Sequence, residues 1–327
     1  MAPCFAEHAE ATDTDGARGS GYLARKLGAL DDREGERVPE GLPDVVDSHV
    51  HVFPDGLFRA IWRWFDQHGW PIRYPLLAAE VVRFLQSRGV SELVLLTYAH
   101  KPGMARGLNA FVAELCAAHP RVLGCGTVMP GEPDAEAIVN EAFDAGLSGL
   151  KLHCHVQCTA VDAPELEAVY AICERRGRPI VVHAGREPKS PGYACDPHAL
   201  CSADRTRIVL EAFPKLRLVV PHLGADEFDA YGRLLERHDN LWLDTTMSVA
   251  GYFPGAVPWS LVEGFPGRIL YGTDFPNLPF AWDRELTRLL ERRLSPHALE
   301  LLVGGTSRGL FRRVDPEVAP AGGGRLD

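Results

Sequence analysis

The sequence predicts an α/β protein closed as a (β/α)8 TIM barrel, with an extra C-terminal helix and a flexible N-terminal extension. Three observations carry this. Short, nearly continuous apolar runs alternate with amphipathic stretches from Asp44 onward, and eight such units can be counted. At 327 residues, the chain has a length typical of that barrel. The polar residues that carry chemistry close runs spread along the whole chain, and only closure brings strands one, five, six and eight to one centre. An open doubly wound sheet is the competing arrangement, but no Gly-x-Gly-x-x-Gly follows the first run.

The first strand candidate is Val45–Val52. A long aromatic-rich loop with Trp62, Trp64, Phe65 and Trp70 follows it, then a helical pattern over Leu76–Arg88. Strand and helix candidates then alternate: Glu92–Thr97 with Arg106–Ala118, Val122–Val128 with Asp134–Ala145, Gly149–His153 with Ala163–Arg176. The pattern continues through Pro179–His183 with Ser202–Phe213, Leu216–His222 with Glu227–His238, and Leu241–Thr245 with Pro258–Phe265. After the eighth strand, Ile269–Thr273, come Trp282–Arg293 and the extra helix Pro296–Phe311. Gly89, Gly146, Gly177, Pro214 and Gly267 punctuate the helix ends. Runs this short and this apolar suit strands covered on both faces.

Composition bounds the function. A hydrophobic content of 46% fits a globular protein with a sizeable core. A net charge of −10 argues against a general nucleic-acid or anionic-membrane partner and leaves a small-molecule substrate. No stretch approaches the roughly 18 uninterrupted apolar residues of a spanning helix. Residues 1–40 lack a signal peptide's basic start and apolar centre and read as a flexible extension, their mixed charges (Asp31, Asp32, Arg33, Glu34) solvated. Residues 41–314 form the catalytic barrel and 315–327 a Gly-rich tail. The eight cysteines include no Cys-x-x-Cys pair and read as reduced thiols of a cytoplasmic protein.

The chemistry sits at the ends of the strand candidates. His49 and His51 in Asp47-Ser48-His49-Val50-His51 share one face if the segment is a strand. Lys151 and His153 end the fourth strand, His183 the fifth and His222 the sixth, while Asp274 follows the eighth in Gly272-Thr273-Asp274-Phe275-Pro276. Singly, each is an ordinary buried histidine or a loop cap. Together they fall on the face where such barrels place their active sites, which a core-histidine reading does not explain. Imidazole and carboxylate donors suit a divalent metal, Zn2+ or else Mn2+, Fe2+ or Co2+.

In these motifs and their order, the chain resembles the amidohydrolase superfamily, in the amidohydrolase-related family that includes aminocarboxymuconate-semialdehyde decarboxylase and small lactone and amide hydrolases. The likeness runs from about Val45 to Phe311. It implies that His49, His51, His183 and Asp274 hold one metal ion, with His222 as acid–base group beside it. Asp274 would also handle the proton of the activated water. Lys151 has three readings: binding a substrate carboxylate, bridging two metals as in binuclear relatives, or pairing with a buried acid.

His153 would line the substrate site, as would Arg186, which can grip a carboxylate bidentately, and Asn277 after the Asp274 loop. His153-Cys154-His155 would alternate faces if the fourth strand continues, sending Cys154 away from the histidines. The aromatic loop after strand one forms either an apolar wall over the barrel mouth or a homodimer contact. Two activities follow. The first is metal-dependent hydrolysis of an amide, ester or lactone by metal-activated water. The alternative is non-oxidative decarboxylation of an unsaturated or aromatic acid, which cationic groups near the metal would favour.

Overall fold

A computed structural model describes Leu23 and residues 26–312. Eight parallel strands follow one another around a single sheet: β1 (Val46–His51), β2 (Glu92–Leu96), β3 (Val122–Gly126), β4 (Gly149–His153), β5 (Pro179–His183), β6 (Arg217–Val220), β7 (Leu241–Asp244) and β8 (Ile269–Leu270). The ring closes between its last and first members. Ser48 N donates to Tyr271 O at 3.0 Å, Asp274 N to His49 O at 2.9 Å and His51 N to Phe275 O at 2.7 Å. This is a TIM barrel. Each strand is short because both faces are covered, and β1, β4 and β5 are buried along their whole length.

Helices cover the outside. α1 (Asp55–His68) and α2 (Ala78–Ser87) follow β1, and α3 (Ala105–Ala118) and α4 (Ala135–Asp144) follow β2 and β3. α5 (Cys154–Gln157) and α6 (Glu167–Arg176) follow β4, while α7 (Pro197–Leu200) and α8 (Ala203–Ala212) follow β5. Next come α9 (Phe228–Arg237) after β6 and α10 (Trp259–Gly264) after β7, then α11 (Arg284–Glu291), α12 (Pro296–Glu300) and α13 (Thr306–Leu310) after β8. α3 packs tightly on β3 because Gly124 has no side chain; a Cβ there would lie 2.4 Å from Val112 Cγ1.

Three expectations change. The aromatic loop after β1 is helix α1: Phe58, Ile61, Trp62 and Phe65 recur at helical spacing and turn their apolar side chains inward. Strand β4 stops at His153, where α5 begins, so His155 does not alternate with Cys154. The extra C-terminal helix is broken by a π-turn, Leu301–Gly305. There Gly304 passes so close to Asp44 O that a Cβ would lie 2.7 Å from it.

Of the N-terminal extension, residues 26–40 are described, and they lie against the barrel instead of standing in solvent. Asp32 accepts from Arg73 Nη1 at 2.7 Å and Arg284 Nη1 at 3.1 Å. Gly35 N donates to Asp283 Oδ2 at 2.9 Å, and Trp282 Nε1 donates to Gly35 O at 2.9 Å. The charges read as solvated are therefore partly ion-paired with the first and last units of the barrel. The remainder of the extension, Leu23 apart, and the C-terminal tail lie outside the described residues.

Candidate metal centre and substrate cavity

Strand β1 supplies two imidazoles and the loop after β8 one carboxylate. His49, His51 and Asp274 each offer a donor atom, all within 4.8 Å of one another. Asp274 Oδ1 lies 3.0 Å from His51 Nε2 and 3.3 Å from His49 Nε2. Asp47 holds this junction together. It accepts from Thr273 Oγ1 at 2.6 Å, Thr273 N at 3.1 Å and His49 N at 3.2 Å, fastening the start of the Asp274 loop to β1. Gly272 lets the two segments approach, since a Cβ there would lie 2.7 Å from His49 Cβ. Asp274 itself has a left-handed backbone, φ 77°, a strained conformation of the kind that collects at functional sites.

Hydrogen bonds fix which ring nitrogens carry lone pairs. His49 Nδ1 faces Asp244 Oδ2 at 2.8 Å, so it carries the proton and Nε2 is left as donor atom toward Asp274. His222 Nδ1 donates to Thr246 O at 2.9 Å, which likewise leaves Nε2 with the lone pair, and His222 N donates to Asp244 Oδ1 at 3.0 Å. Asp244, at the end of β7, therefore orients both histidines; sequence reasoning missed it. Its only signal was the acid closing Leu241-Trp242-Leu243-Asp244.

His183 is placed differently from the expected ligand set. Its ring stacks on His153 at 4.2 Å and stands 4.6 Å from that of His222. Its Nε2 donates to Glu187 O at 3.3 Å, and it lies outside the three-donor group. Lys151 is fully buried, with Nζ 3.5 Å from His49 Nε2. His155 donates from Nε2 to Gly185 O at 2.9 Å and packs on His183.

Burial sets the charge states. It pushes the His49 imidazole down to about 4, with the Lys151 charge acting the same way, and takes His153 and His183 well below their ordinary value. Burial also lowers Lys151 to about 8, against the pull of Asp244 and Asp274. For Asp274, burial opposes ionisation, yet the His51 hydrogen bond and the surrounding imidazoles hold its carboxyl far below the ordinary range. Two imidazoles and a carboxylate converging on one point form a donor set that fits a divalent cation.

The cavity around this group is aromatic. Phe65 and Trp70 from the α1 side, Tyr98 after β2, Tyr193 after β5 and Phe253 after β7 line it together with Asn277. The Tyr193 loop is pinned to α1, with Trp64 Nε1 donating to Gly192 O at 3.1 Å and Ser190 Oγ to His68 O at 3.0 Å. Tyr98 and Tyr193 were also missed, because a tyrosine in a loop has no signature before the loop is placed. Asn277 is buried, and its Oδ1 has no hydrogen-bond partner among the described residues.

Arg186 does not reach this cavity. Its guanidinium grips Asp226 bidentately, both contacts at 2.9 Å. No described residue lining the cavity is a lysine or arginine. In a second donor group, Glu187, His198 and Asp226, the Asp226 carboxylate is engaged by Arg186, and Glu187 Oε1 lies 2.7 Å from His198 Nε2.

A closed parallel barrel with a histidine–aspartate centre at the carboxyl ends of its strands defines a metal-dependent TIM-barrel enzyme. The amidohydrolase family model matches residues 46–313, and the chain belongs to that family. Solved structures share the fold. An uncharacterized TIM-barrel protein from Bordetella bronchiseptica has a TM-score of 0.66 at 21% identity, covering 81% of this chain and 97% of its own. For 5-carboxyvanillate decarboxylase from Sphingomonas paucimobilis the values are 0.58, 18%, 83% and 99%. For the 5-carboxyvanillate decarboxylase from Novosphingobium aromaticivorans, complexed with manganese and 4-hydroxy-3-methoxy-5-nitrobenzoic acid, they are 0.56, 16%, 85% and 99%. No curated protein sequence matches the chain. Among the described residues, no helix is long and apolar enough to cross a membrane.

Proposed function

We propose that the protein is a metal-dependent hydrolase of an uncharged small-molecule amide, ester or lactone. The observation that carries this reading is the absence of a fixed cation among the described residues of the cavity wall. Arg186 is engaged by Asp226, and Lys151 is buried beside His49. A neutral carbonyl substrate needs no such cation.

His49, His51 and Asp274 would hold the ion, with His183 at the end of β5, across the barrel from β1, as a fourth donor. A divalent cation bound there supplies Lewis acidity, activating water and polarising a substrate oxygen. The protein does the rest. Asp244 keeps His49 in the tautomer that presents Nε2. His222, its Nδ1 proton held by Thr246 O, presents Nε2 to the reacting group and can take up and return a proton there. Asp274 can accept and pass on a proton at a carboxylate oxygen, and the aromatic walls exclude bulk water. Zn2+ suits these donors, and Mn2+ is supported by the manganese-bound decarboxylase of the same fold.

Decarboxylation of a planar acid is the second reading. The flat walls of Trp70, Tyr98 and Phe253 favour it, as do the two decarboxylases of the same fold. Metal-loaded protein incubated in 18O-water with a panel of aryl amides, lactones and hydroxybenzoic acids separates the two. Label in a carboxylate product supports hydrolysis; release of CO2 from a hydroxybenzoic acid, with no amide or lactone yielding a labelled carboxylate, overturns it.

A further inference from the structure

His222 is a wall of two cavities, which also share Pro188 and Phe253. One contains His51 and Asp274. The other is a partly open cleft between the loops that follow β5, β6 and β7, with about 420 Å3 of empty space when its open mouth is included. Its walls are apolar, formed chiefly by Ala225, Phe228, Phe253, Val257 and Pro258. Among the described residues lining it, the one charged side chain is Glu187, whose carboxylate is spent on His198 Nε2 and on Lys189 N, both at 2.7 Å.

The start of the loop after β7, on either side of the lining residue Ser248, is bolted to α11. Glu285 accepts from Met247 N and Val249 N at 3.1 Å each, and Arg288 Nε donates to Val249 O at 2.6 Å. An apolar lobe beside an acid–base histidine, anchored at one side, offers a substrate group a partly ordered surface, and such preorganisation favours affinity.

We infer that this second lobe is the subsite for an uncharged alkyl arm of the substrate, while the planar part lies in the aromatic cavity with Asp274 and His51. The scissile bond then falls beside His222, between the two. The inference rests on the hydrolase reading only for what is cleaved; the binding of the arm does not depend on cleavage. An anionic arm is disfavoured, because no described residue lining the lobe is a lysine or arginine and Glu187 is among them.

Calorimetric titration of the metal-loaded protein with N-methyl-, N-propyl- and N-hexylbenzamide tests this. Affinity should rise by about threefold to fourfold per methylene between methyl and propyl. Val257→Trp, which fills the lobe, should flatten that dependence while leaving N-methylbenzamide binding within about twofold; Ser248→Phe serves if the first variant does not fold. A flat dependence in the native protein, or an unchanged slope in both variants, overturns the subsite. Chromatography of the same samples for benzoate reads cleavage separately. Chain-length dependence without benzoate would leave the lobe standing and sink the hydrolase reading, and benzoate without chain-length dependence would do the reverse.

Discussion

His49 Nδ1 and Asp244 Oδ2 lie 2.8 Å apart in the barrel interior, joining β1 to β7 through a fully buried imidazole–carboxylate pair. The carboxylate fixes the ring that points Nε2 at Asp274, and its other oxygen anchors the His222 backbone. Asp244→Asn keeps the shape but weakens the acceptor. Metal affinity should fall by about 10- to 100-fold, measured by competition with a chromophoric chelator. Unchanged affinity would remove Asp244 from the ligand-orienting role.

His222→Ala should reduce kcat by about 10²- to 10⁴-fold, with metal content by mass spectrometry unaltered. Parallel loss of metal would instead make His222 a ligand.

Dialysis against a strong chelator should abolish turnover and lower the melting temperature. Restoring Zn2+ or Mn2+ one at a time, with stoichiometry read by elemental analysis, identifies the working ion. A ratio near two ions per chain would recast Lys151, whose Nζ lies 3.5 Å from His49 Nε2, as part of a binuclear centre. Activity that survives complete metal removal would end the proposed mechanism.

Burial holds the His100 imidazole down at about 4, against 6.5 for the free group. The folded chain therefore resists protonation more than the unfolded one. The contribution to stability is intact above pH 6.5 and is lost as the pH falls through 4. At about 1.4 kcal/mol per pH unit, this group alone removes about 3 kcal/mol across that window. Urea unfolding at pH 7 and pH 4.5 should show a smaller acid loss for His100→Phe than for the native chain.

Asp32→Ala should destabilise the protein by about 2 kcal/mol, because Arg73 and Arg284 lose a shared acceptor at 2.7 and 3.1 Å. kcat should be unchanged, since none of the three lines the Asp274 cavity. A matching drop in kcat would mean that the arm shapes the active site.

Much of this was legible in the residues. β4 and β5 have the boundaries that the apolar runs of Gly149–His153 and Pro179–His183 imply, and His49, His51 and Asp274 converge as their places at strand ends require. Local patterns failed where tertiary context decided. Trp62 and Trp64 disguised α1 as a loop, because tryptophan is a middling helix former and packing supplied the stability. Asp244 and Tyr193 were invisible for another reason: their importance lies in partners contributed by distant strands and loops. The engagement of Arg186 by Asp226 was hidden likewise, as it depends on how the loops after β5 and β6 fold over each other.

The Asp32–Arg284 ion pair joins residues 252 positions apart. During synthesis, residues 26–40 leave the ribosome long before α11 exists, so their final seat is assembled only with the last barrel unit. The first described segment of the chain is thus among the last able to complete its docking. A nascent barrel lacking its eighth unit could hold residues 26–40 only by their contacts to the first unit, such as Asp32 with Arg73 and Val38 N with Arg88 O, and completion of the last unit would add the second half of the seat.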